Sequence, residues 1–211
     1  MTDLPALAVD RLPAHAADGP PPRFLLLYGS ARPGSFSHLL AEEVARLLRH
    51  LGGETRLFDP ATLPPPGSPP GDAATAELHA AALWSDAQFW CSPENYGTVS
   101  AVLKHQLDSC PPVVEGRPLF GGKPLATAQV CGAGPSFNTT MALATIGRWL
   151  GMFVTPSLVC VPQVQTQFEG GRLKASPFYD QLVDLAEELF KVTVALRAGR
   201  GALLDRYSKR A

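Results

Sequence analysis

Three serine hydroxyls and one arginine lie close together in residues 25–40, "LLLYGSARPGSFSHLL". Ser30, Arg32, Ser35 and Ser37 can all donate hydrogen bonds, and they precede a helical pattern whose N-terminal N–H groups and dipole attract negative charge. The stretch has neither the lysine of a triphosphate-binding loop nor the GxGxxG pattern of dinucleotide sites. We therefore predict a site for a terminal monophosphate that stays bound, with FMN as the candidate ligand. The alternative is an ordinary capped loop between a strand and a helix.

Two further turns have residue types suited to close contact with a flat ring. In "CSPENYG", residues 91–97, proline stiffens the chain, glycine permits close backbone approach, and amide groups can face the polar edge of a flavin. In "CGAGPSFN", residues 131–138, glycines and a serine suit a loop that closes over either end of the ring. The cofactor-binding candidates from these two turns are Pro93, Glu94, Asn95, Tyr96, Gly97, Cys131, Gly132 and Ser136. A solvent-facing role for Glu94 and an ordinary packing role for Tyr96 remain open alternatives.

Apolar patterns along the chain predict the elements that position these loops. Short continuous apolar runs are typical of strands buried on both faces, and apolar residues at helical spacing follow each run. The predicted strands are 24–28, 54–59, 86–92, 123–131 and 152–161, and the predicted helices are 37–53, 73–84, 99–109, 137–151 and 176–198. This alternation predicts an α/β fold with a doubly wound, five-stranded parallel sheet and helices on both faces. In such sheets ligands bind outside the carboxyl ends of the strands, where the loops 29–37, 92–98 and 131–136 fall.

The composition limits the classes of partner. The 211 residues include 18 basic and 19 acidic ones, so the chain lacks the basic surface that nucleic acid or an anionic membrane requires. No apolar run approaches the roughly 20 residues that span a bilayer, and the N-terminus has no targeting pattern. These features favour a cytoplasmic protein whose partners are small molecules or other protein chains.

The chain divides into an N-terminal arm at 1–22, a core domain at 23–197 and a C-terminal extension at 198–211. The arm is rich in proline without apolar periodicity, and the extension carries Leu203, Leu204 and Tyr207 beyond the last predicted helix, so both are expected to lie on another subunit. Disorder is the alternative. The four cysteines are too far apart for a zinc or dithiol motif and are expected to be small buried residues: Cys91, Cys110, Cys131 and Cys160.

Several motifs, in order, resemble the ArsH family of NADPH-dependent FMN reductases. They are "GSARPGSFS", "WCSPENYG", "LKHQLD", "QVCGAGPSFN", "GRWLGM" and "LLDRYSKR", and together they cover nearly all of residues 23–210. The resemblance implies a flavodoxin-like fold, bound FMN, NADPH as reductant and a homo-oligomer, with a tetramer favoured. It also implies oxidation of trivalent organoarsenicals and activity toward quinones, azo dyes and oxygen.

Position by position, the resemblance implies that Ser30, Arg32, Ser35 and Ser37 hold the phosphate and that residues 93–97 lie beside the flavin ring. The chain departs from the family pattern at Asn95 and Tyr96, where Arg-His is common, at His38, where Arg is common, and at "CGAGPS", which replaces a serine-rich run. His38 and Arg117 are the candidate cations for the additional phosphate of NADPH.

The implied reaction passes a hydride from nicotinamide to FMN and then electrons to an acceptor at the same ring face, so no side chain is assigned as a nucleophile or strong base. Because trivalent arsenic is thiophilic, Cys131 and Cys91, which adjoin ligand-facing loops, are possible contacts, although packing is the favoured interpretation of each. Cys110 and Cys160 are expected to lie elsewhere. The alternatives are a general quinone or azo reductase and a flavodoxin-like electron carrier, which usually has a strongly acidic face.

Overall fold

Strands and helices alternate through the computed structural model, which describes residues 19–69, 71–205 and 207. The strands are β1 (Arg23–Tyr28), β2 (Glu54–Leu57), β3 (Ala87–Asn95), β4 (Thr98–Val99), β5 (Val113–Val114), β6 (Arg117–Pro118), β7 (Pro124–Val130), β8 (Phe153–Val161), β9 (Phe168–Glu169) and β10 (Arg172–Leu173). The helices are α1 (Phe36–His50), α2 (Ala73–Trp84), α3 (Ala101–Asp108), α4 (Asn138–Trp149), α5 (Val164–Gln167), α6 (Pro177–Arg197) and α7 (Arg200–Leu204). Each predicted strand and helix is present, with ends shifted by a few residues.

Five parallel strands form the central sheet in the order β2-β1-β3-β7-β8, and β4 adds an antiparallel strand to β3. This order confirms the predicted doubly wound sheet and is the flavodoxin-like one, in which the strand order reverses between β1 and β3. Tyr28 pairs with Cys91, and Pro93 pairs with Val130, so the carboxyl ends of β1, β3 and β7 lie side by side.

Helices cover both faces of the sheet, as predicted. One apolar layer joins α1 and α6 to Phe24, Leu26 and their neighbours on the sheet. The other joins α2, α3 and α4 to Leu25 and Leu27. Alternate residues of β1 therefore enter opposite layers, which explains why its sequence is a continuous apolar run.

The segment predicted as a turn at residues 93–98 is mostly strand. β3 continues to Asn95 and then pairs with β4 through a tight turn at Tyr96 and Gly97, whose φ angles are 51° and 80°. Positive φ at both central residues is typical of a two-residue hairpin. The apolar pattern missed this extension because, beyond Pro93, β3 pairs only with β4, which is two residues long.

Two short hairpins and helices α5 and α7 were not predicted. The β9–β10 hairpin is held to α1 by Glu43, a buried carboxylate that accepts hydrogen bonds from Arg172 and, at 2.9 Å, from Arg46. Arg46 also donates to the Tyr179 hydroxyl at 3.0 Å, which joins α6 to the same group. Glu43 therefore links α1, β10 and α6 in one charged cluster.

Part of the C-terminal extension packs on its own chain. In α7 the Arg200 guanidinium donates to the carbonyls of Pro118 and Gly121 at 3.2 and 3.1 Å, and Leu204 lies against Gly121 and Gly122. Leu203 and Tyr207 are exposed. The N-terminal arm, up to residue 18, lies outside the described residues. Within the described residues, every helix is too short or too polar to cross a bilayer.

Candidate functional site

The first loop joins β1 to α1 and brings three hydroxyls to the start of that helix. Ser35 caps α1, since its Oγ accepts a hydrogen bond from the His38 amide at 3.4 Å, and Ser37 Oγ lies 3.5 Å from Ser35 Oγ. Both side chains are buried. Ser30 Oγ accepts from the Arg32 amide at 3.3 Å. Among the described residues the Arg32 guanidinium has no carboxylate or carbonyl partner, so its charge is available to a ligand.

Gly29 lets the first loop touch the second. A methyl group at Gly29 would lie 2.5 Å from Ser100 Oγ and 2.9 Å from Pro93 Cδ, closer than real side chains approach. Ser100 Oγ donates to the Gly29 carbonyl at 2.8 Å, and the Ser100 amide donates to Ser92 Oγ at 3.0 Å. The absence of a Cβ at Gly29 thus fixes the spacing of the two loops.

Glu94 is not simply a solvent-facing carboxylate. Its Oε2 accepts a hydrogen bond of 2.6 Å from Gln129 Nε2, and Gln129 Oε1 accepts from the Thr140 amide at 3.0 Å. The fully buried Gln129 therefore connects the β3 end, β7 and the first turn of α4. Sequence analysis missed Gln129, Ser92 and Ser100; only Ser100 carried a signal, as a serine at the start of a predicted helix.

The third loop begins at Cys131, immediately after β7. Cys131 Sγ donates to the Gly134 carbonyl at 3.2 Å. Burial is the main cause that raises the pKa of the Cys131 thiol above its usual value, and the Glu94 carboxylate raises it further. Ser136 Oγ accepts from the Asn138 amide at 3.3 Å near the start of α4.

The three loops line an open cavity of about 210 Å³ at the carboxyl edge of the sheet. Nine of the twelve predicted site residues line it, namely Ser30, Arg32, Ser35, Ser37, Pro93, Glu94, Asn95, Cys131 and Gly132, together with Phe36, Val130 and Val164, which were not predicted. Tyr96, Gly97 and Ser136 are not among the lining residues. Tyr96 is fully exposed at the β3–β4 turn, since its positive φ turns it away from the strand.

The two candidate cations for NADPH lie at opposite ends of the sheet. His38 stacks on the Tyr28 ring, with 4.5 Å between ring centroids, next to the first loop. Arg117 lies in β6 beside Arg200, and its charge acts on Lys123, which precedes β7. Arg117 therefore lies near the amino edge of the sheet, away from the residues that line the cavity, and its role toward NADPH stays a prediction.

A sequence model described as NADPH-dependent FMN reductase matches residues 22–166. The chain belongs to the NADPH-dependent FMN reductase family. It is 46% identical over 198 residues to the NADPH-dependent FMN reductase ArsH of Shigella flexneri, a match that covers 92% of this chain and 78% of that protein. It is 45% identical to the ArsH of Acidithiobacillus ferrooxidans, with 90% and 81% covered. These relatives confirm the resemblance to ArsH that the motifs indicated.

Solved structures of this fold include other flavin enzymes. FerB, a flavoenzyme NAD(P)H:(acceptor) oxidoreductase of Paracoccus denitrificans, superposes with a TM-score of 0.67 at 16% identity and covers 85% of this chain and 98% of its own. The NADH:FMN oxidoreductase EMOB gives 0.66 at 20% identity, with 89% and 93% covered. A flavodoxin from the domain Archaea gives 0.55 at 13% identity, with 81% and 98% covered. At these identities the likeness concerns the fold alone.

The residues of this chain fit the phosphate end of an FMN reductase's cofactor. The first loop presents buried serine hydroxyls, the N-terminus of a 15-residue helix and a guanidinium that is unpaired among the described residues. Donors of this kind, none of them paired with a carboxylate among the described residues, suit a phosphate dianion. The second and third loops supply the walls on either side.

Proposed function

We propose that this chain is an ArsH-type flavin reductase that binds FMN in the cavity at the carboxyl edge of the sheet, uses NADPH, and passes electrons to a small acceptor. The observation that carries the proposal is the convergence of Ser35, Ser37 and Arg32 at the start of α1, where the strand order reverses. FMN, when bound there, supplies the hydride and electron transfer chemistry.

The chain's own contribution is binding and orientation. Arg32 would neutralise phosphate charge, and the hydroxyls of Ser30, Ser35 and Ser37 would donate hydrogen bonds to the phosphate oxygens. The end of β3 and the third loop would supply the walls for the ring, and Gln129 fixes the Glu94 carboxylate at the wall of the cavity. No side chain here has to act as a nucleophile or strong base, because positioning is the protein's share of the catalysis.

The ArsH relationship also implies that a trivalent organoarsenical is oxidised to its pentavalent form. This step releases two electrons from arsenic, so the arsenical is an electron donor and oxygen would be the acceptor. A quinone or azo compound is the second candidate. FerB, whose fold this chain shares, is described by its acceptor activity, and the cavity of this chain has one side open to solvent through the exposed Arg32. Two assays of the same preparation separate these activities: NADPH oxidation driven by a quinone under nitrogen, and oxygen-dependent conversion of a trivalent organoarsenical to the pentavalent form.

Absorbance spectroscopy of the purified protein tests the proposal. We expect the yellow spectrum of bound flavin, loss of that colour when NADPH is added under nitrogen, and a homo-oligomer, with a tetramer favoured, in light scattering of the same sample. The double variant Ser30→Ala/Arg32→Ala should lose FMN affinity by at least about a hundredfold, since hydrogen bonds to charged groups contribute about 1.5–3 kcal/mol each.

The matched control for this variant is Ser176→Ala, which removes a serine cap from a helix away from the cavity. It should retain FMN. A colourless wild-type protein that takes up no FMN from excess would refute the proposal, and a double variant that keeps stoichiometric flavin would refute the phosphate assignment.

A further inference from the structure

A second cavity, of about 220 Å³, lies near the amino edge of the sheet, and none of the described residues lines both it and the cavity at the carboxyl edge. This amino-edge cavity is lined by Leu83, Arg117, Pro118, Arg200, Gly201 and Leu204. Arg117 is exposed and has no hydrogen-bond or ion-pair partner among the described residues. Arg200 donates to backbone carbonyls through Nε and Nη2, while its Nη1 has no acceptor in the described part of the chain. Both guanidinium groups therefore keep donors that can bind a ligand.

A third basic group lies close to these two arginines. Lys123 is fully buried immediately before β7. Burial is the main cause that lowers the pKa values of Lys123 and Arg200; Arg200 then lowers the pKa of Lys123, and Arg117 lowers both. Asp86 is the carboxylate whose charge raises the two pKa values. Three basic groups and one carboxylate leave an excess of positive charge at this cavity, which a bound anion would neutralise.

The charge and the lining of the amino-edge cavity indicate which anion fits. Because Lys123 has a pKa of about 7, it is partly protonated at neutral pH, so the basic groups exceed Asp86 by between one and two charges. A doubly charged oxyanion balances this excess, and guanidinium groups bind such anions through paired N–H donors. Leu83, Pro118 and Leu204 form an apolar wall, which suits an apolar substituent on the anion.

We propose that the amino-edge cavity binds a doubly charged oxyanion between Arg117 and Arg200, either an inorganic ion or the phosphate group of a monoester. The apolar wall favours the monoester. Since Arg200 lies in α7 and Arg117 in β6, the anion would join the C-terminal extension to the β5–β6 hairpin. This site is separate from the cavity assigned to FMN and does not rest on that assignment.

Isothermal titration calorimetry of the FMN-loaded protein with sodium sulfate tests the site, with chloride holding the ionic strength constant and excess FMN present. We expect saturable binding of sulfate that Arg117→Gln weakens at least about tenfold, because the variant loses charge-assisted hydrogen bonds to the anion. Arg117 has no partner to lose among the described residues, so the variant should fold like the wild type, which urea unfolding without sulfate verifies.

Arg32→Gln is the matched control. Arg32 is likewise an exposed arginine without a partner in the described ranges, but it lies at the carboxyl edge of the sheet. The Arg32 variant should retain the sulfate that Arg117→Gln loses. Sulfate binding that Arg32→Gln abolishes and Arg117→Gln preserves would place the anion at the first loop and overturn the inference.

Lys123 supplies a second readout, which a general salt effect would not change. A bound dianion nearby should raise the pKa of Lys123 above about 7, so sulfate binding at about pH 8 should take up a fraction of a proton. Sulfate itself does not titrate near this pH. Titrations in buffers of different ionisation enthalpy measure the uptake, and Lys123→Met should lack it. Equal proton uptake by Lys123→Met and wild type would contradict an anion beside Lys123.

Phenyl phosphate and inorganic phosphate distinguish the two sources of the oxyanion. Tighter binding of phenyl phosphate supports the monoester, whereas equal affinities would contradict that choice and identify the inorganic ion. Unchanged sulfate affinity in a folded Arg117→Gln variant would overturn the site itself; a raised KM for NADPH in that variant would then favour the role of Arg117 toward NADPH.

The flavin proposal and the oxyanion proposal fail separately. A yellow, NADPH-reducible protein that binds none of these anions contradicts the amino-edge site and leaves the flavin proposal standing. A protein that takes up no FMN but binds sulfate through Arg117 contradicts only the flavin proposal.

Discussion

Basic side chains are found at both ends of the central sheet, but their surroundings differ. At the carboxyl edge Arg32 is exposed, and it has no ion-pair or carbonyl partner within the described residues. At the amino edge Lys123 is fully buried and donates to the Ala82 carbonyl and, at 3.4 Å, to Ser85 Oγ. Arg200 beside it donates to two backbone carbonyls.

The two edges differ in the source of the oxygen atoms that accept hydrogen bonds from these basic side chains. At the amino edge the acceptors come from the chain itself, so Lys123 and Arg200 join the end of α2 and the β6–β7 segment to the rest of the fold. At the carboxyl edge the Arg32 guanidinium has no acceptor among the described residues, so it can bind the oxygen atoms of a ligand. A cation that the chain already satisfies is structural, whereas one without an internal acceptor is available for binding.

The largest expected effect is the pH dependence of the unfolding free energy that the buried Lys123 causes at the amino edge. Burial is the main cause that lowers its pKa to about 7; Arg200 and Arg117 lower it as well, and Asp86 opposes them. Between that value and its ordinary value near 10.4 the unfolded chain binds a proton that the folded chain does not, so stability rises with pH in this window. Below about pH 7 the full cost of the buried charge is present.

The variant Lys123→Met has no such group, so the comparison with wild type isolates its contribution. We compare the unfolding free energies of Lys123→Met and wild type. The excess of the variant over wild type should fall by about 3 kcal/mol between about pH 7 and about pH 10, because the wild type gains stability over this range. Urea unfolding at several pH values measures it. Parallel stability curves for the two proteins would contradict the assignment of a titrating lysine at the amino edge.

At the carboxyl edge the variant Gly29→Ala should change the unfolding free energy somewhat less than the Lys123 titration does. The added methyl group would meet Ser100 Oγ at 2.5 Å and must push the first two loops apart. We expect a loss of about 2 kcal/mol of unfolding free energy, typical of overpacking, together with weaker FMN binding.

The control for Gly29→Ala is Gly134→Ala in the third loop, where a methyl group would meet no atom within 4 Å. Its unfolding free energy should stay within about 0.5 kcal/mol of wild type. Equal destabilisation by the two alanines, measured by urea unfolding without FMN, would mean that close contact at Gly29 does not fix the loops.

Local pattern was sufficient to predict the elements of the sheet and most of the cavity lining. The buried runs of β1 and β7 and the serine before Pro177 each carry their signal within a few residues. The glycine pair at 170–171 was a usable hairpin signal for β9 and β10 that sequence analysis did not use.

Features that depend on distant residues could not be predicted in this way. The Gln129–Glu94 hydrogen bond joins residues 35 positions apart, and its existence depends on the register of β3 against β7. The proximity of Cys160 to Cys131 depends on the β7–β8 register, which itself shifts between Leu125 and Thr127. The position of Arg117 at the far edge of the sheet likewise follows from a short hairpin, β5–β6, with no apolar periodicity.

The smallest expected effect is a difference in FMN affinity between variants of two serines that both cap a helix. Ser35 caps α1 by accepting from the His38 amide at 3.4 Å, and Ser176 caps α6 by accepting from the Tyr179 amide at 3.3 Å. Replacing either by alanine should cost about 1 kcal/mol of unfolding free energy, because one amide at the helix start loses its acceptor.

Only Ser35 also lines the cavity, so only Ser35→Ala should weaken FMN binding, by about tenfold, which corresponds to one hydrogen bond of about 1.4 kcal/mol. Fluorescence titration of the apoprotein with FMN measures this difference, and urea unfolding verifies that the two variants are equally destabilised. If Ser176→Ala weakened FMN binding as much as Ser35→Ala, the loss would reflect general loosening of the fold, and the buried hydroxyl of Ser35 would have no direct part in holding the phosphate.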